Sequence, residues 1–439
     1  MQSNQVAVRI LIITVGLFAL GAHLHAFIRQ AVIGPNFLDT AYYYVWGDLL
    51  SKGLNIYLVE PFDSKTLEFL SSPVGLPIAH LSQRTYFSFI NSGVVIYSPA
   101  FLSVMSLLSL MTFKVAAGVW TLLNYGALVL SVFLILRTLD IKPDAVTLSL
   151  VSFMVFSFQP LLECTALGQS NLILLCMLSL SLWATKNEKP YWAGLFLSFA
   201  IHMKPQFALL AFIFPLKGMY RHLTSTIVCY CLIAVASLPF TGFNLQLDYF
   251  RALFRTAAYA QEATMLEWGK NLSLLAAVAR LTGGTNLGEL RLLNAVFAFA
   301  VLVYSFKKFR MPYNTLLFAQ EFAYMTALVL VLVPVFEEHY LVLLYLPILC
   351  LFSQLSHLNG FWRGAFVVGY LLLGLKYSLV GFPAFRFGFL SLLSNGKLYG
   401  LIAITVCTFF CWKHGSAELG RCFSKTNNIM SHNQSNNSD

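Results

Sequence analysis

The sequence predicts an all-α polytopic membrane protein. Three observations carry this. Of 439 residues, 58% are hydrophobic and only 10% are charged, against about 25% charged in a soluble domain, and mean hydropathy is +0.73. The apolar runs are long and do not alternate, which is a helical and not a strand pattern. Lipid offers the backbone no hydrogen-bond partner, so helices satisfy it internally where open sheets cannot. The net charge of +10 fits Lys and Arg held on the cytoplasmic side and does not call for nucleic acid. Eight cysteines lie mostly inside apolar runs without metal-ligand spacing and read as small hydrophobes.

Along the chain, Val6 to Ala26 reads as a retained first span and not as a cleaved leader, since no small-x-small site follows it. Residues 29–91 form a first large hydrophilic loop, with amphipathic stretches near Tyr42–Ser51 and Ser64–Phe69 suited to the membrane interface. Residues 92–136 hold two apolar runs. Val146 to Leu167 spans and ends at Gly168–Gln169; Leu172 to Ala184 returns. Trp192–Ile201 and Phe207–Leu216 are too short to cross, at about 20 residues per span. They flank His202–Met203–Lys204–Pro205 and read as half-helices around a polar break. Leu223 to Phe240 spans; residues 241–290 form a second hydrophilic loop; five further apolar runs follow from Arg291 to Trp412. Residues 1–412 are expected to make one membrane domain of about 12 spans, and 413–439 a polar, disordered cytoplasmic tail.

The basic clusters set the orientation. With Arg137–Lys142, Lys186–Lys189, Lys217–Arg221, Lys307–Arg310 and Lys413–Lys425 in the cytoplasm, the loop 29–91, Gly168–Gln169, Lys204, the loop 241–290 and Glu337–His339 share the opposite face. The count fails at 92–136, which looks like two helices yet must cross an odd number of times.

Each polar cluster on that face has two readings. Asp39 is placed to take a proton from an incoming hydroxyl, or to cap the helix that follows. Gly168-Gln169-Ser170-Asn171 is a site or a turn. Lys204 at membrane depth calls for an anionic partner, or snorkels. Glu337-Glu338-His339 is a site or a loop cap. Asn271-Leu272-Ser273 is a glycosylation sequon or a helix start. No P-loop, GxGxxG, GxSxG or HExxH pattern stands in a suitable setting.

Together these segments resemble a family. Asp39, Tyr43, Tyr44, Leu50, Gly53, Asn55 and Tyr57 are similar to the D-x-x-x-Y-Y…L-x-x-G-x-N-x-Y signature of glycosyltransferase family 87, polyprenyl-phosphate-mannose-dependent mannosyltransferases of the GT-C type. In order, Tyr97-Ser98-Pro99 resembles its Y-x-P element, Gly168-Gln169-Ser170-Asn171 its G-Q-x-N element, and Ala193-Gly194 with Lys204-Pro205 its A-G…K-P element. Asn271-Leu272-Ser273-Leu274 resembles N-x-S-L, and Pro334 to Tyr340 resembles S-P-x-S-W-x-H-H, though the Trp is missing, Val333 replaces Ser and Glu338-His339-Tyr340 stands near the paired histidines. The resemblance implies a GT-C-type bundle of about 12 helices with interfacial helices in the first outer loop. It implies inverting transfer of a sugar, mannose first, from a polyprenyl-phosphate donor to a lipid or glycan acceptor. Asp39 would be the base, Lys204 and His339 the donor-phosphate ligands. Tyr43, Tyr44, Tyr97, Gln169, Asn171, Asn271 and Glu338 would line the substrates, the tyrosines against sugar faces. It requires no nucleotide cofactor and leaves open a divalent cation between Asp39 and phosphate. The setting implied is a bacterial inner membrane, with membrane lipids as surroundings and the site on the periplasmic or extracytoplasmic face. Two other classes share these features: a transporter or flippase of amphiphiles, and a non-catalytic scaffold for envelope assembly.

Overall fold

The fold is taken from a computed structural model of the chain. It describes residues 2–33, 37–53, 55–57, 97–259, 263–267, 269–309, 313–376, 379 and 382–413. The expected amphipathic stretch Ser64–Phe69 and the tail from residue 414 lie outside the described residues.

Every described element is helical. In order they are α1 (Gln2–Ile33), α2 (Leu38–Ser51), α3 (Pro99–Leu108), α4 (Phe113–Thr138), α5 (Ala145–Phe156), α6 (Gln159–Leu167), α7 (Asn171–Lys186) and α8 (Pro190–Met203). After the 3-10 and α turns of Pro205–Leu216 come α9 (Tyr220–Tyr259), α10 (Ala263–Glu267), α11 (Leu274–Leu281), α12 (Leu287–Lys308) and α13 (Thr315–Leu332). A 3-10 turn at Glu338–Leu344 leads into α14 (Tyr345–Ser353), then α15 (Gly360–Gly374) and α16 (396–413).

Among the described residues, six helices are long and apolar enough to cross a membrane, or seven if the pair α5–α6, bent by 60°, counts as one span. The chain is thus a multi-pass, all-α membrane protein, and the expected count of about 12 is not reached. Long apolar runs are broken at Ser157–Phe158, Lys204 and Glu337, which leaves Ala145–Phe156, Gln159–Leu167, Pro190–Met203, Pro205–Leu216 and Glu338–Ser353, each shorter than the ~20 residues needed to cross. The break at Lys204 is the polar junction expected between half-helices: α8 stops there and Pro205 opens the next turn. The odd-crossing problem at 92–136 has a simple answer. At ten residues, about 15 Å, α3 does not span; it packs along α2, and α4 alone crosses. The expected loop 241–290 is largely helix, formed by the second half of α9 with α10 and α11.

The core sits where α2, α3, α4, α7, α8, α13 and α14 meet. The most apolar window of α13 is 83% buried and that of α12 is not buried at all, so α13 is central and α12 faces lipid. Close helix contact uses small residues, as expected where lipid competes equally for apolar surface. A Cβ at Gly194 on α8 would fall within 2.4 Å of Ser225 Oγ on α9. The two basic clusters around α4 and α7 converge: Lys186 Nζ donates to the carbonyls of Arg137 and Thr138 and pairs with Asp140 at 2.7 Å.

Candidate active site

At the other end of the bundle, residues 39, 168–171, 204, 271 and 337–340 come together. Asp39 lies in the first turn of α2, behind the N-cap position at Phe37, and makes no cap bond. The capping alternative therefore does not hold. Asp39 keeps some accessible surface as a residue, although its carboxyl is deeply surrounded by protein.

The turn beside it is fixed from three sides. Gly168 ends α6 in the left-handed region (φ 69°), and a Cβ there would fall on Thr40 Oγ1, so only glycine fits. Its carbonyl accepts from Thr40 Oγ1 at 3.1 Å and from Trp120 Nε1 at 2.8 Å. Gln169 is oriented next. Tyr43 donates to Gln169 Oε1 at 2.9 Å, which leaves the amide N–H₂ to donate to the Asp39 carboxylate. Since the Tyr43 proton is committed, Tyr97 supplies the hydrogen in the 2.8 Å contact between the two hydroxyls. A chain of donors thus runs Tyr97, Tyr43, Gln169, Asp39.

Lys204 completes the cluster. It is fully buried, and its Nζ has no hydrogen-bond partner among the described residues. The ammonium sits 3.3 Å from the ring centroid of Tyr340, a cation–π contact. Burial raises Asp39 to about 7, against the Gln169 hydrogen bond and the positive charges of Lys204 and Lys270. Burial lowers Lys204 to about 7, while Cys164, Asp39 and Glu337 oppose the shift. Glu337 is pushed up to about 8, by burial first and by Asp39 second. His339 is held well below the usual histidine range, by burial first and then by Lys204 and Lys270. Its surroundings thus favour the neutral imidazole.

Several residues expected at the substrates are committed to the protein. Tyr43 and Tyr97 are 1% and 6% exposed and offer no face to a sugar; they hold Gln169. Tyr44 is buried, bonded to the Met111 carbonyl at 2.8 Å and packed edge-on against Phe113. Asn271 uses its whole capacity, donating to the Met265 and Pro334 carbonyls and accepting from the Ser273 and Phe336 amides. Fully buried, it is a loop latch and no glycosylation acceptor. Asn171 donates to the His339 carbonyl at 2.9 Å and so seats the 3-10 turn. Glu338 pairs with Lys397 at 2.7 Å, and Lys397 also donates to the Leu373 and Leu375 carbonyls. The acid coupled to Asp39 and Lys204 is its neighbour Glu337, joined by Lys270 and Glu163 in the same electrostatic cluster; Lys270 and Glu163 carry no sequence signal of their own. The 337–339 acidic run was the available signal for Glu337. Among the described residues no group of three or more His, Cys, Asp or Glu side chains is set to hold a metal.

Fold and site thus define a multi-pass membrane protein in which a carboxylate and a buried ammonium without a hydrogen-bond partner among the described residues share one electrostatic cluster. The profile of glycosyltransferase family 87 matches residues 96–334, more than half of the chain, and the chain belongs to that family. It is a membrane glycosyltransferase, using a sugar donor and an acceptor. The matched stretch includes Tyr97, Gln169, Asn171, Lys204 and Asn271 and begins after Asp39. Neither the curated proteins nor the solved structures contain a match.

Proposed function

We propose that the enzyme, a GT-C-type transferase, moves a hexose, mannose first, from a polyprenyl-phosphate donor to a hydroxyl of a lipid or glycan acceptor. The site opens on the non-cytoplasmic face, periplasmic in a bacterial inner membrane. Asp39 takes the acceptor proton while the acceptor oxygen bonds the anomeric carbon from the side opposite the leaving group. The bond from that carbon to the phosphate oxygen breaks, and polyprenyl phosphate departs with the electron pair. One displacement of this kind inverts the anomeric centre. A base half-ionised near pH 7 suits this role. Lys204 neutralises charge on the departing phosphate, where a fixed cation in a dry site lowers the barrier.

The observation that carries this reading is the Lys204 ammonium, buried without a hydrogen-bond partner among the described residues and electrostatically coupled to Asp39. Such a group is costly unless an anion completes it, and the lipid phosphate of the proposed donor would be that anion. Donor phosphate binding is therefore assigned to Lys204, with neutral His339 acting through hydrogen bonding alone. The basic clusters gathered at the opposite end support the orientation.

The test uses membranes containing the wild type or Asp39→Asn, incubated with radiolabelled polyprenyl-phosphate mannose or polyprenyl-phosphate glucose. Loss of a general base lowers transfer by roughly 10²–10⁴-fold, and mannose is expected to be the sugar transferred. Undiminished transfer by Asp39→Asn would overturn the role of Asp39, and transfer of glucose alone would overturn the sugar.

A further inference from the structure

Helix α9 is 40 residues long, and the candidate span within it, Tyr220–Arg255, runs for 36 residues. At 1.5 Å per residue this is about 54 Å, far more than the ~30 Å hydrocarbon core. The surplus has a defined place to turn. Pro239 lies inside the helix, and Gly242 has φ 68° and ψ 166°, outside any helical geometry. The bend is sharp: Gln246 Nε2 donates to Ser237 Oγ at 2.9 Å and to Thr241 Oγ1 at 3.2 Å. On a straight helix Ser237 and Gln246 would stand on opposite sides, about 13 Å apart along the axis. Residues 220–241 alone cover about 33 Å, one complete crossing.

The segment after the bend is two-faced. Leu245, Asp248, Tyr249 and Ala252 pack inward, while Phe243, Leu247, Phe250 and Phe254 are exposed, Phe254 by 77%. The latter follow one another at spacings of four, three and four, which places them on one helical face. Between the two faces runs a polar flank with Arg251 and Arg255, whose stems suit snorkelling to lipid headgroups. The inner side is tied to the chain leaving α2. Asp248 accepts from Asn55 Nδ2 at 2.7 Å and from Arg251 at 2.9 Å, and Arg255 donates to the Tyr57 carbonyl at 2.6 Å.

We infer that residues 243–259 form an in-plane helix docked on the membrane leaflet at the site's end, with Phe243, Leu247, Phe250 and Phe254 in the acyl region and the arginines at the headgroups. The partner is the phospholipid leaflet. The occupant follows from continuity: this face extends a span already in lipid, and no water-soluble partner is needed to cover it. Given the transfer proposed above, the Asn55 and Tyr57 contacts hold α2, and with it Asp39, at a fixed depth relative to the lipid phosphates.

The experiment is depth measurement by nitroxide labels on the full chain in phosphatidylglycerol–phosphatidylethanolamine vesicles. Cys229, Cys231 and Cys422 are replaced by serine, and single labels are placed through Phe243→Cys, Leu247→Cys, Phe250→Cys and Phe254→Cys. Accessibility to oxygen and to a nickel chelate gives each depth. An in-plane helix puts all four labels at one shallow depth, within about 4 Å, with oxygen favoured at each. A steady change of about 16 Å from 243 to 254, the rise of eleven residues, overturns the inference, as does greater access to the nickel chelate at all four. No sugar transfer enters the readout, so its failure is separate from failure of the enzymatic assignment.

Discussion

Replacing Lys204 by methionine separates stability from function. The side chain is fully buried with its Nζ unpartnered among the described residues, and burial depresses it from 10.5 to about 7. At about 1.4 kcal/mol per pH unit, holding this lysine at pH 7 costs the fold up to about 4 kcal/mol. Methionine has similar volume and no charge to bury. Lys204→Met is therefore expected to be more stable than the wild type at pH 7. The sign with pH follows from linkage. Between about 7 and 10.5 the unfolded chain binds more protons at this position than the folded one, so the lysine's penalty shrinks as pH rises. The advantage of the methionine variant should fall over the same window. Transfer should move the other way: loss of a charge-stabilising contact in a dry site costs roughly 10²–10³-fold in kcat. Thermal unfolding in detergent, followed by a fluorogenic thiol reagent that reports exposure of buried cysteines such as Cys164 and Cys350, measures the first effect at pH 7 and pH 9.5. Radiolabelled donor measures the second. A variant less stable at pH 7, or one whose advantage grows with pH, would refute the assignment of Lys204 as a costly, uncompensated cation.

Asp39, raised to about 7 by burial, must lose its proton to act as base. Transfer should therefore fall about tenfold per unit below pH 7, and the residual activity of Asp39→Asn should lack this acid limb in a pH–rate profile. Tyr43→Phe removes the hydroxyl that bonds both Gln169 and Tyr97. About 1–3 kcal/mol of stability is lost for the stranded partners, and kcat falls with donor KM unchanged because Gln169 no longer aims its N–H at Asp39; an unchanged kcat would make the pair purely structural. Lys397→Met strands the half-buried Glu338 and two carbonyls. It is expected to destabilise by about 3 kcal/mol, within the range for a broken buried pair, which the same thiol assay reads as a lower unfolding temperature.

The membrane class was legible because composition and hydropathy decide it everywhere at once. The breaks were not. Gly242 read as the start of a loop, since its neighbours turn polar, yet helix resumes beyond it because Leu245, Tyr249 and Ala252 find a packing surface on the far side. Asp39 and Lys204 stood out because a charge beside apolar runs has few bland explanations. Glu337 and Glu338 differ in role although they are adjacent. Which of two neighbouring acids enters the crevice depends on where the 3-10 turn starts, and Asn171 and Lys397, distant in sequence, seat that turn. The tyrosines misled for the same reason. An aromatic beside a sugar and an aromatic in a core look alike in sequence, and the bonds that distinguish them join residues 54 and 126 positions apart.

Among the described residues three lysines bury their side chains, and their surroundings decide their roles. Lys217 meets Glu321 at 2.7 Å, and the indole N–H of Trp412 donates to the same carboxylate oxygen at 3.1 Å, fastening the last helix to α13. Lys397 meets Glu338 at 2.7 Å and donates to two helix-end carbonyls. Each is neutralised by a carboxylate that the fold itself provides. Lys204 is as deeply buried, yet among the described residues its Nζ has no hydrogen-bond partner and lies over the ring of Tyr340, while the nearby acids Asp39 and Glu337 are held toward their protonated forms by burial. A fold that pairs two of its buried lysines so closely and leaves the third unsatisfied reserves the third for an anion that arrives from outside. Burial without a partner raises the energy of the empty site, and a bound phosphate relieves it most as charge accumulates on the leaving oxygen. Lys204 is then worth more in the transition state than in the ground state, which is the condition for raising kcat.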